Sequence, residues 1–209
     1  WRWVAGLQTQ GKTYLARRDN ISKFTIDRFD PIGLSGSAIP LKGKPHPNIS
    51  MLNLSNLTNP NVRTGLLIHD DDLDISPVIN GLKIESAIAI NNLDQVSPWS
   101  CSKSAHTFVN SLIEDVSIRY KDKIGAVKLV RTADQIENWY HENKLEQIVV
   151  AYATMGPNAS FIKNLKKRGL NIVQTSKEYD QIAWPNATHG FFRFKEKIPA
   201  LISELGLST

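Results

Sequence analysis

The first thirty residues combine indole rings with cationic side chains. Trp1 and Trp3 are separated by a single residue. Cationic side chains neutralise phosphates and flat rings stack on bases, so the combination is typical of a surface that binds nucleic acid. A solvated helix face packed by ordinary aromatic side chains is the alternative. The basic residues of this stretch are Arg2, Lys12, Arg17, Arg18, Lys23 and Arg28.

An acidic run at 69–74 follows a short apolar segment. Asp70 and Asp72 have the spacing of the two aspartates in haloacid-dehalogenase-like phosphotransferases, in which one carboxylate attacks phosphate beside a bound Mg²⁺. Position 74 is Asp where those enzymes have Thr or Val, and a later acidic pair is not evident, since Asp180 stands alone. A polar turn or an incidental cation site is the alternative.

The turn Met155-Gly156-Pro157-Asn158 joins an apolar run to a helical pattern. In open α/β sheets such a turn lies where anionic ligands bind, at the carboxyl end of a strand and the start of a helix. One glycine falls short of a dinucleotide fingerprint, so a tight connection without a ligand is the alternative. His106 and His141 are predicted to be surface or packing residues. An aromatic cluster is predicted to form a domain interface or part of a core: Trp184, Phe191, Phe192 and Phe194.

From about residue 63 the chain alternates short apolar runs with amphipathic stretches. The pattern predicts strands at 65–69, 86–90, 126–130, 147–152 and 171–174, and helices at 104–120, from Thr132 onward, at 157–169 and at 199–206. Strands separated by helices form βαβ units, so we predict an α/β fold with three layers and a mainly parallel five-stranded sheet. The segment 73–85 is short for a crossover helix, which predicts a single helical turn or a different strand pairing there.

The composition sets the class of protein and its surroundings. The formal net charge is +5, which permits contact with a polyanion. No apolar run is long enough for a membrane span and no signal peptide is visible, so we expect a protein without membrane contact. The single cysteine, Cys101, favours a reducing compartment and hence a cytoplasmic location.

The opening residues Trp1-Arg2-Trp3-Val4-Ala5-Gly6-Leu7-Gln8-Thr9 resemble the end of the flavin-binding helical domain of DNA photolyases and cryptochromes. The likeness covers about the first thirty-five residues and continues through Gly11-Lys12-Thr13-Tyr14. Later stretches, Ala151-Tyr152-Ala153 and Ala183-Trp184-Pro185, resemble a bacterial branch of that family, in which an α/β domain follows the flavin domain. The resemblance implies three regions: 1–39 as a short helical remnant of an all-α FAD-binding domain, 40–62 as a linker and 63–209 as a Rossmann-like α/β domain.

The resemblance also implies roles for single residues. Trp1 matches the indole nearest the flavin, the first member of an electron relay to FAD, and Trp3 matches an indole that stacks on the lesion. Arg2 replaces the usual Gln of the family, which puts the hydrogen bond of that Gln in doubt. Contacts with DNA phosphates are expected of Arg2, Lys12, Arg17 and Arg18.

The expected function is therefore that of a C-terminal part of a deoxyribodipyrimidine photolyase-like flavoprotein, with damaged DNA as its partner. Light-driven electron transfer from reduced FAD would split cyclobutane pyrimidine dimers. Most flavin contacts of the family precede the Trp-x-Trp motif, so we expect these 209 residues to bind FAD weakly or not at all. Three alternatives stay open: a cryptochrome-type photoreceptor without repair, an α/β ligand-binding or interaction module without chemistry, and the phosphotransferase.

Overall fold

A computed structural model describes residues 17–34, 51–52, 57–188 and 190–207. The chain divides into two compact units, 1–50 and 51–209. Within the first unit, the described residues form one short helix, α1 (Arg18–Phe24), which buries none of its side chains.

Five strands of the second unit form one sheet in the order β3-β2-β1-β4-β5, and every neighbouring pair is parallel. The predicted α/β class is thus confirmed, and the sheet is parallel throughout. The central strands β1 and β4 are buried along their whole length because helices cover both faces of the sheet. The strands are β1 (Thr64–His69), β2 (Ile84–Ile90), β3 (Val127–Val130), β4 (Gln147–Ala151) and β5 (Ile172–Thr175).

Seven α-helices accompany these strands in the described part of the second unit. They are α2 (Lys103–Arg119), α3 (Lys121–Ile124), α4 (Ala133–Glu142), α5 (Pro157–Lys167), α6 (Glu178–Ala183), α7 (Gly190–Lys195) and α8 (Ile198–Glu204). Short 3-10 turns occur at Leu93–Gln95 and Trp184–Asn186.

Local signals in the sequence explain where the longer helices begin. The Ser102 hydroxyl accepts from the Ala105 amide at 3.2 Å and caps α2. Thr132 and Gln135 form a reciprocal capping box at the start of α4, which confirms the predicted cap. Proline opens α5, at a position where its missing N–H leaves no helical bond unmade.

Two apolar clusters lie on opposite faces of the sheet, since successive residues of a strand point to opposite sides. Leu67 packs in one cluster with Ile136 of α4 and Leu165 of α5. Leu66 packs in the other with Val116 of α2. The sheet is therefore the middle of three layers.

The segment 73–85 contains one hydrogen-bonded helical turn, in which the Ile79 amide donates to the Ile75 carbonyl oxygen at 3.1 Å. The first of the two predicted alternatives is thus confirmed, and β1 and β2 pair in parallel. Phe108 of α2 is exposed, because Ile113 and Val116 occupy the buried stripe of that helix. Helices α6 and α7 were not predicted, since both are only six residues long.

Candidate functional site

Among the described residues, three of the five buried polar side chains lie at the carboxyl edge of the sheet, namely His69, Asn92 and Asn158. The other two, Thr64 and Gln147, bond to each other at the amino edge. β1 pairs with β2 on one side and with β4 on the other, so the chain reverses its direction of progress across the sheet between these two central strands. In doubly wound sheets the crevice outside such a switch point is where ligands bind. Two groups of cavities lie along this edge, one beside β2 and β3 and one beside β4 and β5.

A buried chain of hydrogen bonds separates the two groups of cavities. The Asn92 amide donates to Asn158 Oδ1 at 2.7 Å, and the Asn158 amide donates to Asp70 Oδ1 at 2.9 Å. Asn158 is 3% exposed and Asn92 is 7% exposed. The chain ties the ends of β1 and β2 to the first turn of α5.

His69 joins the two strands at the switch point. Its Nε2 lies 3.0 Å from the Ala151 carbonyl oxygen, and its Nδ1 accepts from the Asp71 amide at 3.2 Å. A carbonyl only accepts, so Nε2 carries the proton and Nδ1 is bare. His69 is fully buried and fixes the start of the acidic turn against the end of β4.

The cavity beside β2 and β3, which we call the amide pocket, has a volume of about 360 Å³. Its wall includes several side-chain amides, one exposed leucine and one guanidinium. The lining residues are Asn91, Asn92, Asp94, Gln95, His106, Asn110, Leu129 and Arg131.

A wider groove, which we call the α5 groove, continues from the amide pocket. The two share Asn92, Gln95 and Arg131, and the groove reaches Gly156 and Pro157 at the start of α5. Gly156 has φ of 105° and carries no capping side chain. The first amides of α5 therefore have no side-chain cap at the groove, where the helix dipole favours negative charge.

Charges around the amide pocket are unevenly matched. His106 Nε2 lies 2.9 Å from Asp94 Oδ1, so these two groups satisfy each other. The guanidinium of Arg131 takes part in no ion pair within the described ranges. The guanidinium of Arg131 is thus a cation without an ion-pair partner among the described residues, at the place where the amide pocket and the α5 groove meet.

The cavity on the other side, which we call the β5 recess, has a volume of about 160 Å³. Carboxylates, hydroxyls and two aromatic rings form its wall. The lining residues are Leu52, Asp71, Asp72, Tyr152, Thr154, Thr175, Ser176, Asp180 and Trp184.

Lys177 bridges the acidic turn beside the β5 recess. Its Nζ lies 3.1 Å from Asp72 Oδ1 and 3.6 Å from Asp74 Oδ2. Burial opposes the charge of Lys177, yet the hydrogen bond and charge of Asp72, together with Asp74 and Asp180, raise its pKa. The pKa of Asp74 is lowered, first by the Ser76 hydroxyl that donates to it and then, against some burial, by the Ser76 amide and Lys177.

Most residues that the sequence assigns to flavin and DNA lie outside the described residues, namely Trp1, Arg2, Trp3 and Lys12. Arg17 and Arg18 are described, and both are engaged in ion pairs. Arg17 Nη2 lies 2.7 Å from Asp19, and Arg18 pairs through two nitrogens with Asp30. A phosphate would compete with these carboxylates for each guanidinium.

The two aspartates of the phosphotransferase pattern have different partners. Asp70 accepts from Asn158, whereas Asp72 pairs with Lys177. In the part of the chain that the structure describes, no three His, Cys, Asp or Glu side chains are arranged to hold a metal ion.

The aromatic cluster near the C-terminal end is largely exposed. Phe191 is 64% exposed and Phe192 is 80% exposed, so a core role for these two is wrong. Their rings contact each other edge to face, with centroids 5.7 Å apart. His141 is exposed and His106 is partly buried, as predicted for surface or packing residues.

Several residues of the cavities were not singled out from the sequence. Arg131 follows β3, and Asn91 and Asn92 follow β2, directly at the carboxyl ends of those strands. Thr175 ends β5 and Ser176 directly follows it, at the same edge of the sheet. The sequence did carry a signal for them, because polar residues at the end of a predicted parallel strand lie at the edge of the sheet where ligands bind.

The fold defines a doubly wound parallel α/β unit with polar cavities at its carboxyl edge. No family model, curated protein or solved structure matches the chain. Every helix among the described residues is too short or too polar to cross a membrane.

Proposed function

We propose that this chain is the C-terminal part of a deoxyribodipyrimidine photolyase-like flavoprotein, and that its α/β unit binds a second, anionic ligand with a polar ring. The ligand is an antenna chromophore or a nucleotide. The observation that carries the second part is the amide pocket, which is joined at Arg131 to the N-terminal end of α5 beside the switch point.

The support for the flavoprotein comes from the sequence. The motif around Trp1 and Trp3 resembles the flavin-binding domain of photolyases, and the resemblance implies a following α/β domain. A five-stranded α/β unit does follow. Trp1 lies outside the described residues, so no step through FAD is derived from the geometry.

The support for the second ligand is chemical complementarity. Side-chain amides both donate and accept, which suits the ring edge of a heterocycle. Leu129 is 39% exposed and offers an apolar contact for the ring face. The guanidinium of Arg131, which has no ion-pair partner among the described residues, and a helix N-terminus both favour an anion, so a phosphate or carboxylate on the ligand belongs in the α5 groove.

A fluorescence titration with FMN and riboflavin tests the second ligand, because the two probes share a ring and differ by one phosphate. Arg131→Gln is expected to weaken FMN binding about tenfold or more, since hydrogen bonds to charged groups are worth about 1.5–3 kcal/mol. The same substitution should barely affect riboflavin. Lys128→Gln, which removes an exposed charge of β3 outside both cavities, is the matched control. Equal affinity for both probes, or FMN binding that ignores Arg131, would contradict the proposal.

Photorepair is tested on the full-length protein, which includes the flavin-binding helices that the resemblance places before Trp1, with reduced FAD and an oligonucleotide that contains a cyclobutane thymine dimer. Illumination should restore absorbance at the thymine band, and Trp3→Ala should abolish the recovery. Trp99→Ala, which removes a tryptophan of the α/β unit that is 79% exposed, should leave it unchanged. Flavin photoreduction that depends on Trp1 without repair would favour the photoreceptor. FMN binding without any photochemistry would favour the ligand-binding module.

A further inference from the structure

We propose that the β5 recess is a second binding site, which takes a neutral ring with neighbouring hydroxyl groups, about the size of one sugar ring. The recess and the amide pocket have no lining residue in common, and the α5 groove does not reach the recess either. The inference is therefore independent of the proposed function.

Two buried hydroxyls of the recess residues have no partner among the described residues. Thr175 Oγ1 and Ser176 Oγ are buried and make no hydrogen bond within the ranges that the structure describes. A buried hydroxyl without a partner costs free energy, and native structures contain few of them. Thr175 is the last residue of β5, Ser176 directly follows it, and both line the recess. The two groups are thus unsatisfied at the same place in the fold.

Four further polar side chains of the recess make no hydrogen bond within the described part of the chain. They are the side chains of Asp71, Asp180, Tyr152 and Thr154. Asp72 differs, because Lys177 pairs with it at 3.1 Å. The wall therefore offers two carboxylates that only accept and several hydroxyls that accept or donate.

A ring with hydroxyl groups fits this set better than an anion or a cation. Each alcohol donates to a carboxylate and accepts from a hydroxyl, so one ligand group satisfies two wall groups. The carboxylates of Asp71 and Asp180 repel an anion, and Lys177, which pairs with Asp72 of the wall, offsets part of the negative charge that would attract a cation. The rings of Tyr152 and Trp184 line the same space and offer an apolar surface to the C–H face of a sugar.

The size of the recess limits the ligand. A volume of about 160 Å³ is below the range of roughly 300–1,000 Å³ in which drug-sized ligands bind. One ring enters, and any further part of the ligand stays outside. Because χ1 has three staggered positions, a rotation of Thr175 or Ser176 brings its hydroxyl from its buried position to the ligand.

Binding is measured by calorimetry with D-ribose, adenosine and 2′-deoxyadenosine as probes, and with putrescine as a cationic probe. Saturable binding of ribose or adenosine is expected. Adenosine binding that is lost with 2′-deoxyadenosine assigns the ring to the ribose of a nucleoside. Binding of free ribose without adenosine assigns it to a monosaccharide.

The variant Thr175→Val removes one unpartnered hydroxyl and keeps the shape of the side chain. It should weaken sugar binding about three- to tenfold, the usual effect of one hydrogen bond. It should leave the thermal midpoint of the free protein unchanged or raised, because it removes a buried group without a partner. Thr107→Val on the exposed face of α2 is the matched control and should change neither quantity.

Three results would overturn the proposal. One is the absence of saturable binding by every hydroxylated probe at tens of millimolar. Another is a clear loss of stability in Thr175→Val, which would show that its hydroxyl is already bonded. The third is binding of putrescine in place of ribose, which would make the recess a cation site. Arg131→Gln should leave sugar binding unchanged, which separates failure of this inference from failure of the proposed function.

Discussion

Replacing Asn158 by alanine should destabilise the α/β unit, because this side chain connects three elements at the switch point. Its Oδ1 accepts from Asn92 at 2.7 Å and its amide donates to Asp70 at 2.9 Å. Asn158→Ala removes both bonds. The Asn92 amide is 7% exposed, so water replaces its lost partner poorly.

The magnitude follows from the burial of each partner. A buried amide that loses its hydrogen-bond partner lowers the free energy of unfolding by about 1–3 kcal/mol. The bond to Asp70 contributes about 1 kcal/mol, because that carboxylate is only partly buried and water can replace part of the loss. The free energy of unfolding should fall by about 2–4 kcal/mol in total. For a unit of this size, that corresponds to a decrease of roughly 5–15 °C in the thermal midpoint.

Urea unfolding followed by circular dichroism measures the change. Asn164→Ala is the matched control, since Asn164 lies on the same helix and is exposed, and it should change stability by less than about 0.5 kcal/mol. Asn158→Asp adds a sharper test, because it places a second carboxylate against Asp70. Adjacent carboxylates raise each other's pKa, so the loss of stability in this variant should shrink as the pH falls. Equal stability of Asn158→Ala and Asn164→Ala would refute the reasoning.

Two further predictions concern packing and pH. Gly65→Ala should destabilise the protein by about 1–3 kcal/mol, because the new Cβ would lie 2.4 Å from Trp139 Cη2 and 2.5 Å from Leu145 Cδ1. The loss of stability in Gly65→Ala, measured by urea unfolding, should be partly relieved when Leu145→Ala is added to it. Strictly additive losses of the two substitutions would contradict the clash. Ser76→Ala should lower stability at neutral pH, because the Ser76 hydroxyl is the first cause of the lowered pKa of Asp74. A lowered carboxyl pKa adds stability above the unfolded-state pKa that is lost as the pH falls through the folded-state value, so the gap between variant and wild type should close in acid. A gap of the same size in acid would count against this linkage.

The strands and longer helices were predictable because their signals are local. Apolar runs such as 147–151 and a cap such as Thr132 act on residues within one or two turns, so composition and spacing indicate the element directly. The short helix α6 was not predicted, because six residues complete too few turns to show a periodic pattern of apolar side chains.

The candidate sites were predictable only in part. The Asn158 turn was placed correctly at a strand end before a helix, but its partner Asn92 is 66 residues away in the chain. The Asp70 and Asp72 pair suggested one acidic site from its spacing. In the fold, one aspartate binds Asn158 and the other binds Lys177, since the turn after β1 directs them to different neighbours.

By itself, the sequence determined the α/β class and the identity of the five strands. Those properties depend on composition and on patterns that short segments carry. The assignment of residues to flavin and DNA also comes from the sequence and stays a prediction. Tertiary structure alone decided the strand order β3-β2-β1-β4-β5 and, through it, which polar residues meet at the carboxyl edge. Only the folded chain shows that Arg131 lies beside α5 without an ion-pair partner among the described residues, and that the hydroxyls of Thr175 and Ser176 are buried without a hydrogen bond within the same ranges. Hydrogen bonding and burial are properties of neighbours in space, and the spacing of residues along a chain does not specify them.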